Sequence, residues 1–267
     1  MNESLKHSNK AYRLIGTSPV RPDGLEKVTG RALYGADLSV ADMVWGDVLR
    51  SPHAHARIKS LDYAPALAME GVLAVVTADD LVDGSEAAVA GGESAVNVAD
   101  LSRNVLARDK VLYHGHAVAA VAAVTREIAA AALEKIRVDY EVLKPVLDIE
   151  AAKAADAPLL DEKLITEGYD ETPDRPSNIA TRYYFKRGDV DAGFAEADEI
   201  VERTYYAPTA HQGYIEPHAC VAESDRSGKV RIWCCTQGQF SVRSMTAALL
   251  GTDVANIKVT PSEIGGG

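Results

Sequence analysis

The first 150 residues alternate between short apolar runs typical of strands and stretches with a helical period. Ala117–Val124 is an unbroken apolar run that predicts a buried strand, and the shorter run Val72–Val76 predicts a strand covered on both faces. After Thr125, which can cap a helix, apolar residues recur four apart along one inward face. Three further strands and a short helix are predicted at Met43–Leu49, Ala54–Leu61, Arg137–Leu143 and Tyr63–Met69. This order of elements predicts a compact α+β domain that ends near Asp148.

The pattern becomes less regular between residues 81 and 207. Leu81–Asp100 is rich in Gly, Ala, Ser and Asp and predicts a long surface loop, whereas Val105–Tyr113 alternates in part. Prolines and charges with little periodicity in Ala151–Pro176 predict a linker or an extended connection. Beyond it, alternating segments predict strands at Ile179–Arg187 and Glu199–Ala207, with a short helix at Asp189–Ala197.

The C-terminal part of the sequence predicts strands around one helix. The strands are expected at Cys220–Glu223, Val230–Cys235 and Asn256–Thr260, and the helix at Gln239–Leu250, with Thr236 as its cap and Gly251 at its end. The last strand runs into Gly265, Gly266 and Gly267, which pack almost nothing and have high backbone entropy. A strand that enters such a run normally leads to functional backbone. We therefore expect either a fragment or a fold that a second polypeptide completes.

Composition and charge narrow the classes of protein. The chain has 267 residues, 47% of them hydrophobic and 25% charged, which is ordinary globular usage. Its net charge of −11, without a run of Lys or Arg, argues against a broad nucleic-acid or anionic membrane surface. Residues 1–12 are polar and unlike a signal peptide, and no apolar run is long enough to span a bilayer. These features predict a cytoplasmic location.

The three cysteines, Cys220, Cys234 and Cys235, are too few and too badly spaced for a disulfide scaffold, and they form no C-x-x-C motif. We expect them to be small buried apolar side chains rather than redox groups. Any iron–sulfur clusters used in electron chemistry would therefore lie in other chains.

Simple catalytic signatures are absent from the sequence. It contains no G-x-G-x-x-G, Walker, H-E-x-x-H or G-x-S-x-G motif. Two histidine pairs, His53 with His55 and His114 with His116, have a spacing that allows chelation in an extended segment. Ordinary polar positions on strands are the better interpretation of both pairs, and chelation is the alternative.

Several segments, in their order and spacing, resemble the molybdenum hydroxylases, the family of xanthine dehydrogenase, aldehyde oxidoreductase and nicotinate dehydrogenase. The matching part is the N-terminal portion of the molybdopterin-binding large subunit. Its small hammerhead domain is similar to Arg21–Asp37, Ser51–Asp62, Glu70–Leu81 and Gly115–Asp148, and the start of its molybdopterin-binding domain is similar to Arg187–Thr204, Tyr214–Pro217, Cys235–Gly238 and Gly265–Gly267. His116 departs from the pattern, because the family more often has Gln there. The resemblance implies an α+β chain with a leader at 1–20, a hammerhead domain at 21–150, a linker at 151–177 and an incomplete molybdopterin-binding domain at 178–267.

The resemblance also implies which residues face the cofactor. Gln237 matches a glutamine beside the molybdenum oxo ligand, where a carboxamide donates a hydrogen bond without adding charge or a metal ligand. Gly238 would allow a close approach and free an N–H near the next helix. Gly265, Gly266 and Gly267 match a loop whose backbone amides donate to the cofactor. No residue of this chain is expected to ligate the metal directly, and Glu216 is expected to have a structural role rather than that of the catalytic base.

The activity implied is oxidative hydroxylation of an aldehyde or N-heterocycle at a molybdenum–molybdopterin cofactor, in bacteria usually the cytosine dinucleotide form. Electrons would pass to [2Fe–2S] clusters and FAD in iron–sulfur and flavin partner subunits. The base glutamate would lie downstream or in a partner chain, so this chain would be active only together with the chain that completes the molybdopterin domain. Two alternatives stay open at this point. One is a reductive enzyme like 4-hydroxybenzoyl-CoA reductase, and the other is a non-catalytic scaffold or binding module with the same fold.

Overall fold

The computed structural model describes residues 13–83, 88–90 and 95–266. The strands are β1 (Trp45–Arg50), β2 (Ala56–Asp62), β3 (Val72–Thr77), β4 (Ala88–Ala90), β5 (Ala95–Asn97), β6 (Lys110–Val111), β7 (Ala117–Ala123), β8 (Arg137–Val142), β9 (Cys220–Ser224), β10 (Val230–Cys234) and β11 (Ile257–Pro261). The helices are α1 (Gly24–Val28), α2 (Ala64–Leu67), α3 (Val98–Val105), α4 (Arg126–Leu133), α5 (Ile149–Lys153), α6 (Val190–Glu196) and α7 (Gln239–Leu249). Mixed helices and strands confirm the predicted α+β class.

Two three-stranded antiparallel sheets, β1-β7-β3 and β6-β2-β8, form the first part of the molecule. Strand β7 is buried on both faces, as its unbroken apolar run predicts. Val121 packs with Ile136 at the end of α4 in one core cluster, and Val118 packs with Val111 in another. The Thr125 hydroxyl accepts a hydrogen bond from the Ile128 N–H at 3.2 Å, which confirms the predicted cap of α4.

Strand β3 is covered less than its sequence suggests. It lies at the edge of its sheet, and Leu73 is 55% exposed, so the prediction of a strand covered on both faces is wrong. A continuous apolar run gives no information about which strands flank it. Strand β8 is an edge strand, as predicted for Arg137–Leu143.

The predicted loop at Leu81–Asp100 contains regular structure. Strands β4 and β5 pair as a small antiparallel ribbon, and α3 follows directly. The Asn97 side chain caps α3 by accepting from the Ala99 N–H at 2.8 Å. The small and polar residues of this segment predict a loop. Asn97 is a typical N-cap residue, however, and it indicates the start of a helix. Residues 84–87 and 91–94 lie outside the described part of the chain.

The connection after β8 is irregular beyond α5 but is tied to the first part. Glu162 accepts from the Lys110 ammonium at 2.9 Å and lies 3.5 Å from the Arg57 guanidinium. The Asn178 side chain donates to the carbonyl groups of Ala152 and Pro158. Ion pairs and side-chain hydrogen bonds therefore replace a hydrophobic core along this stretch.

Strands β9, β10 and β11 form the sheet of the second part, in the order β11-β10-β9. Strand β10 is antiparallel to β9 and parallel to β11, and α7 is the crossover between β10 and β11. Ile257 and Ala247 are almost fully buried between this helix and the sheet. All three strands and the helix lie where the sequence predicts them.

Residues 178–219 differ from both parts. The predicted strands at Ile179–Arg187 and Glu199–Ala207 are wrong, because within the described residues only an isolated bridge between Glu167 and Thr181 pairs with this stretch. Helix α6 is present as predicted, yet none of its residues is buried. Tyr183 is 91% exposed and Tyr206 is 90% exposed. Alternating apolar and polar residues favour a strand, but a strand forms only beside a partner. The described residues provide no partner strand for this stretch.

The N-terminal residues also fold differently from the sequence expectation. The Pro and Gly residues in Arg21–Gly30 predict turns between short extended segments. The structure instead has α1 there, followed by a short 3-10 helix at Gly35–Asp37.

In the described part of the chain, no helix has the length and apolar character needed to cross a bilayer.

Candidate cofactor site

A cavity of about 320 Å³ opens at the carboxyl ends of β10 and β11. Because these strands are parallel neighbours, the segments that follow them meet at one edge of the sheet. The cavity is lined by Tyr214, Glu216, His218, Cys235, Thr236, Gln237, Gly238, Ile264, Gly265 and Gly266. Four predicted site residues are thus brought together, namely Gln237, Gly238, Gly265 and Gly266. The fifth, Gly267, lies outside the described residues.

Gln237 lies in the turn that joins β10 to α7. It is exposed to the cavity, and its carboxamide has no hydrogen-bond partner among the described residues. An amide in this position is free to donate or to accept.

The turn itself differs from the predicted one. The Thr236 hydroxyl accepts from the Gly238 N–H at 3.0 Å, so that amide is used within the turn and is not free as predicted. Gly238, not Thr236, is the N-cap of α7, and its carbonyl accepts the first helical hydrogen bond from the Val242 N–H at 3.0 Å. Helix α7 thus begins directly after the two cavity-lining residues Gln237 and Gly238.

The glycine run passes very close to the segment Tyr214–Glu216. A side chain on Gly265 would bring its Cβ within 2.7 Å of the Glu216 Cβ, and a Cβ on Gly266 would overlap Tyr214. Only backbone fits between that segment and the cavity. Tyr214 is a lining residue for which the sequence offered no signal beyond its place in the YIEP segment.

Glu216 holds two backbone amides at once. Its Oε2 accepts from the Gly265 N–H at 2.6 Å, and its Oε1 accepts from the Gly35 N–H at 3.2 Å. The Gly265 amide is therefore satisfied within the protein rather than directed at a ligand, in contrast to the expectation from sequence. The Gly266 N–H has no partner among the described residues and remains available to a ligand. With both carboxylate oxygens occupied, Glu216 has the structural role expected for it.

The cysteines are more accessible than predicted. Cys220 is exposed, whereas Cys234 and Cys235 are half-buried, and all three are free thiols. Cys220 lies on the edge strand β9, Cys234 ends the central strand β10, and Cys235 lines the cavity. Burial is the main cause of a raised pKa for the Cys234 thiol, and the neighbouring thiols of Cys220 and Cys235 add to it, so that this side chain is neutral at pH 7.

The histidine pairs are structural, but two of their members are more buried than ordinary strand positions. His55 donates through Nδ1–H to the Lys144 carbonyl at 3.0 Å, and His53 packs edge-on against Tyr140. His116 is fully buried and accepts from the Leu112 N–H through Nδ1 at 3.2 Å. Among the described residues, no three His, Cys, Asp or Glu side chains are grouped so as to hold a metal ion.

Family models match both parts of the chain. The aldehyde oxidase and xanthine dehydrogenase a/b hammerhead domain matches residues 29–144, and the molybdopterin cofactor-binding domain matches residues 171–267. The second match contains every residue of the cavity wall, including the Gln237 turn and the glycine run.

Individual relatives agree with these matches. The chain is 36% identical to a subunit of a probable xanthine dehydrogenase from Bacillus subtilis over 93% of its own length and 30% of the relative's. It is 32% identical to the nicotinate dehydrogenase large molybdopterin subunit of Eubacterium barkeri, over 97% of this chain and 56% of that one. A solved structure of reconstituted CO dehydrogenase from Oligotropha carboxidovorans superposes with a TM-score of 0.76 at 30% identity, over 94% of this chain and 31% of that chain.

The chain therefore spans about a third of two of these relatives and little more than half of the other. The two family matches assign a hammerhead domain to its first part and a molybdopterin cofactor-binding domain to its second part. The chain belongs to the xanthine dehydrogenase family of molybdenum hydroxylases and corresponds to the N-terminal part of their molybdopterin-binding large subunit.

Proposed function

We propose that this chain is part of the molybdenum-cofactor-binding subunit of a multi-subunit molybdenum hydroxylase that oxidises an aldehyde or N-heterocycle. The observation that carries the proposal is the convergence of Gln237 and the Gly265–Gly266 backbone on one cavity, although they are almost thirty residues apart in sequence. When bound, the molybdenum–molybdopterin group would supply the redox and oxygen-transfer chemistry.

The residues present fit such a group. Gln237 offers a neutral amide and Gly266 offers an N–H, and neither group has a hydrogen-bond partner within the described residues. A Cβ at Gly265 or Gly266 would collide with its neighbours, so the wall stays as thin as backbone. Hydrogen-bond donors suit the oxo and phosphate groups of a pterin cofactor, and the one carboxylate of the cavity lining, Glu216, is engaged by two backbone amides. We propose the cytosine dinucleotide form because the matched relatives are bacterial.

Partner chains are the second element of the proposal. The chain covers only 30% of its Bacillus relative, and the Phe and Tyr side chains between residues 183 and 206 are exposed. Both facts support a further polypeptide, or a further part of the same one, that completes the molybdopterin domain. A [2Fe–2S] cluster is held by four protein ligands, and this chain has only three cysteines. We therefore assign the clusters and FAD to iron–sulfur and flavin subunits. A cytoplasmic location fits the three free thiols.

The domain division also remains a proposal. We place a leader at 1–20, the hammerhead domain at 21–150, a linker at 151–177 and the start of the molybdopterin domain at 178–267. The general base is assigned outside this chain, since the cavity's carboxylate, Glu216, is engaged by two amides.

The test compares activity with metal content in the assembled enzyme. We expect Gln237→Ala to lower kcat about tenfold to a hundredfold, the effect of losing a hydrogen bond to a charged group, while molybdenum content falls less than twofold. Gln212→Ala is the matched control, because Gln212 is exposed outside the cavity wall. Equal losses of activity and metal, or no loss of either, would contradict a role of Gln237 at the metal. Absence of molybdenum from the wild-type complex would instead favour a non-catalytic scaffold.

A further inference from the structure

Residues 27–37, here called the N-terminal strap, lie beside the glycine run although more than two hundred residues separate the two. The Lys27 ammonium forms an ion pair with Glu263, and the Glu263 N–H donates to the Leu33 carbonyl at 3.2 Å. Tyr34 and Glu263 also form an isolated parallel bridge. The strap therefore continues the edge of the second sheet at the point where β11 gives way to Gly265.

At Gly35 the backbone of the strap lies so close to Ala219 that there is no room for a side chain. A Cβ on Gly35 would lie 2.7 Å from the Ala219 carbonyl oxygen, directly before β9. This close approach places the Gly35 N–H within 3.2 Å of Glu216 Oε1. The other oxygen of the same carboxylate holds the Gly265 N–H at 2.6 Å.

One carboxylate thus joins two backbone segments that, within the described residues, are otherwise held by the contacts around Glu263. Glycine backbone is the most costly backbone to order, so a run of glycines keeps one conformation only where its amides are held. Both oxygens act as acceptors, a role that an ionised carboxylate fills completely and that a carboxamide fills only in part.

We propose that Glu216 is a positioning residue: its carboxylate fastens the glycine run to the N-terminal strap and so fixes the distance between the Gly265–Gly266 backbone and Gln237. The part of this proposal that concerns the cofactor rests on the proposed function. The part that concerns the backbone does not, and it holds for the chain without any ligand.

The first experiment measures amide hydrogen exchange by NMR in the full chain. In Glu216→Gln one of the two backbone N–H groups faces the amide nitrogen, and we expect that amide, Gly35 or Gly265, to exchange at least tenfold faster while the other keeps its acceptor oxygen. The amides of β9 and β10 report whether the sheet stays folded and should not change. Glu223→Gln is the matched control, since Glu223 lies on β9 and contacts Arg231 away from the cavity. Unchanged exchange at Gly35 and Gly265 would overturn the proposal.

A second variant keeps the test valid if Glu216→Gln does not fold. Lys27→Ala removes the ion pair to Glu263 and leaves the carboxylate of Glu216 in place. We expect exchange at Glu263 to accelerate severalfold and exchange at Gly265 to accelerate less. Exchange at Gly265 that accelerates as much as exchange at Glu263, with Glu216 still in place, would show that the Lys27 ion pair and not the Glu216 carboxylate holds the glycine run, and it would overturn the proposal.

The last measurement concerns the assembled enzyme. Glu216→Gln should lose molybdenum about tenfold faster on dilution, whereas Gln237→Ala, with its wall intact, should retain it. Faster amide exchange with unchanged metal retention would overturn the link between Glu216 and the cofactor. An assembled wild-type enzyme without molybdenum would refute the proposed function and leave the amide-exchange result unaffected.

Discussion

The hammerhead domain and residues 178–219 both carry apolar patterns that favour strands, but their side chains differ in burial. In the hammerhead part, β7 has β1 on one side and β3 on the other, and Val118 and Val121 are almost fully buried on its two faces. In residues 178–219, apolar and aromatic side chains alternate over similar lengths, yet Tyr183 and Phe185 are more than 90% exposed.

The difference lies in the partners that the chain itself provides. The neighbours of β7 come from within about eighty residues on its N-terminal side, so the hammerhead core closes within one short stretch of sequence. For residues 178–219, the described residues offer only the bridge between Glu167 and Thr181. An apolar pattern belongs to one strand, whereas a sheet requires at least two, so a strand-favouring pattern forms a core only where the chain supplies partner strands.

The largest expected effect tests this contrast directly. Val121→Asp places an unpaired carboxylate in the core cluster under α4, and we expect it to lower the free energy of unfolding by about 4 kcal/mol or more. Tyr183→Asp changes a side chain that is 91% exposed, and we expect a change within about 0.5 kcal/mol. Urea unfolding followed by circular dichroism measures both. A large loss in Tyr183→Asp would mean that residues 178–219 are packed in solution, and the comparison would then fail.

The elements that the sequence predicts well are those whose signal is local. The buried run at β7, the Thr125 cap of α4 and the crossover from β10 through α7 to β11 are fixed by residues a few positions apart. Coverage of β3 and pairing of residues 199–207 depend on which distant strand lies alongside, and the sequence pattern carries no such information. The missed helix α3 is an exception, because Asn97 provided a local cap.

For the candidate site, the resemblance to a known family supplied the residues and the structure supplied their hydrogen bonds. Gln237 and the glycine run were expected near one another, and they line one cavity. That Gly238 donates to Thr236 and Gly265 to Glu216 could not be predicted, because both depend on the path of the backbone. The Gly35 contact was still less accessible, since it joins positions 181 residues apart.

The second prediction concerns the pH dependence of stability. The hammerhead domain contains a fully buried titratable side chain, His116. Burial lowers the pKa of His116 below the ordinary histidine value of 6.5, and the carbonyl groups of Arg103 and Asn104 oppose only part of that effect. The unfolded chain therefore binds this proton more readily than the folded chain, so stability is lost as the pH falls below about 6.5. We expect the free energy of unfolding to fall by up to about 1.4 kcal/mol per pH unit from this group alone.

The control for this prediction is His116→Gln, which replaces the imidazole by a neutral amide. The pH dependence of its free energy of unfolding should lack that slope below pH 6.5, and the difference from the wild type should be constant above pH 7.5. An identical pH slope in the two proteins would show that other groups cause the acid sensitivity.

The smallest expected effect comes from removing a helix N-cap, once in the hammerhead domain and once in residues 178–219. Thr125 caps α4, whose Ala129 and Ala132 are fully buried, and Asp189 caps α6, which buries no residue. Thr125→Ala should lower the global free energy of unfolding by about 1 kcal/mol, because α4 unfolds together with the core. Asp189→Ala removes an equivalent bond, from the Ala192 N–H at 3.0 Å, yet it should leave global unfolding unchanged and only accelerate local amide exchange in α6. Equal losses of global stability in the two variants would mean that α6 is coupled to the core despite its exposure. A purely local effect at Asp189 would show that a capped helix adds to the stability of a protein only where its side chains are packed.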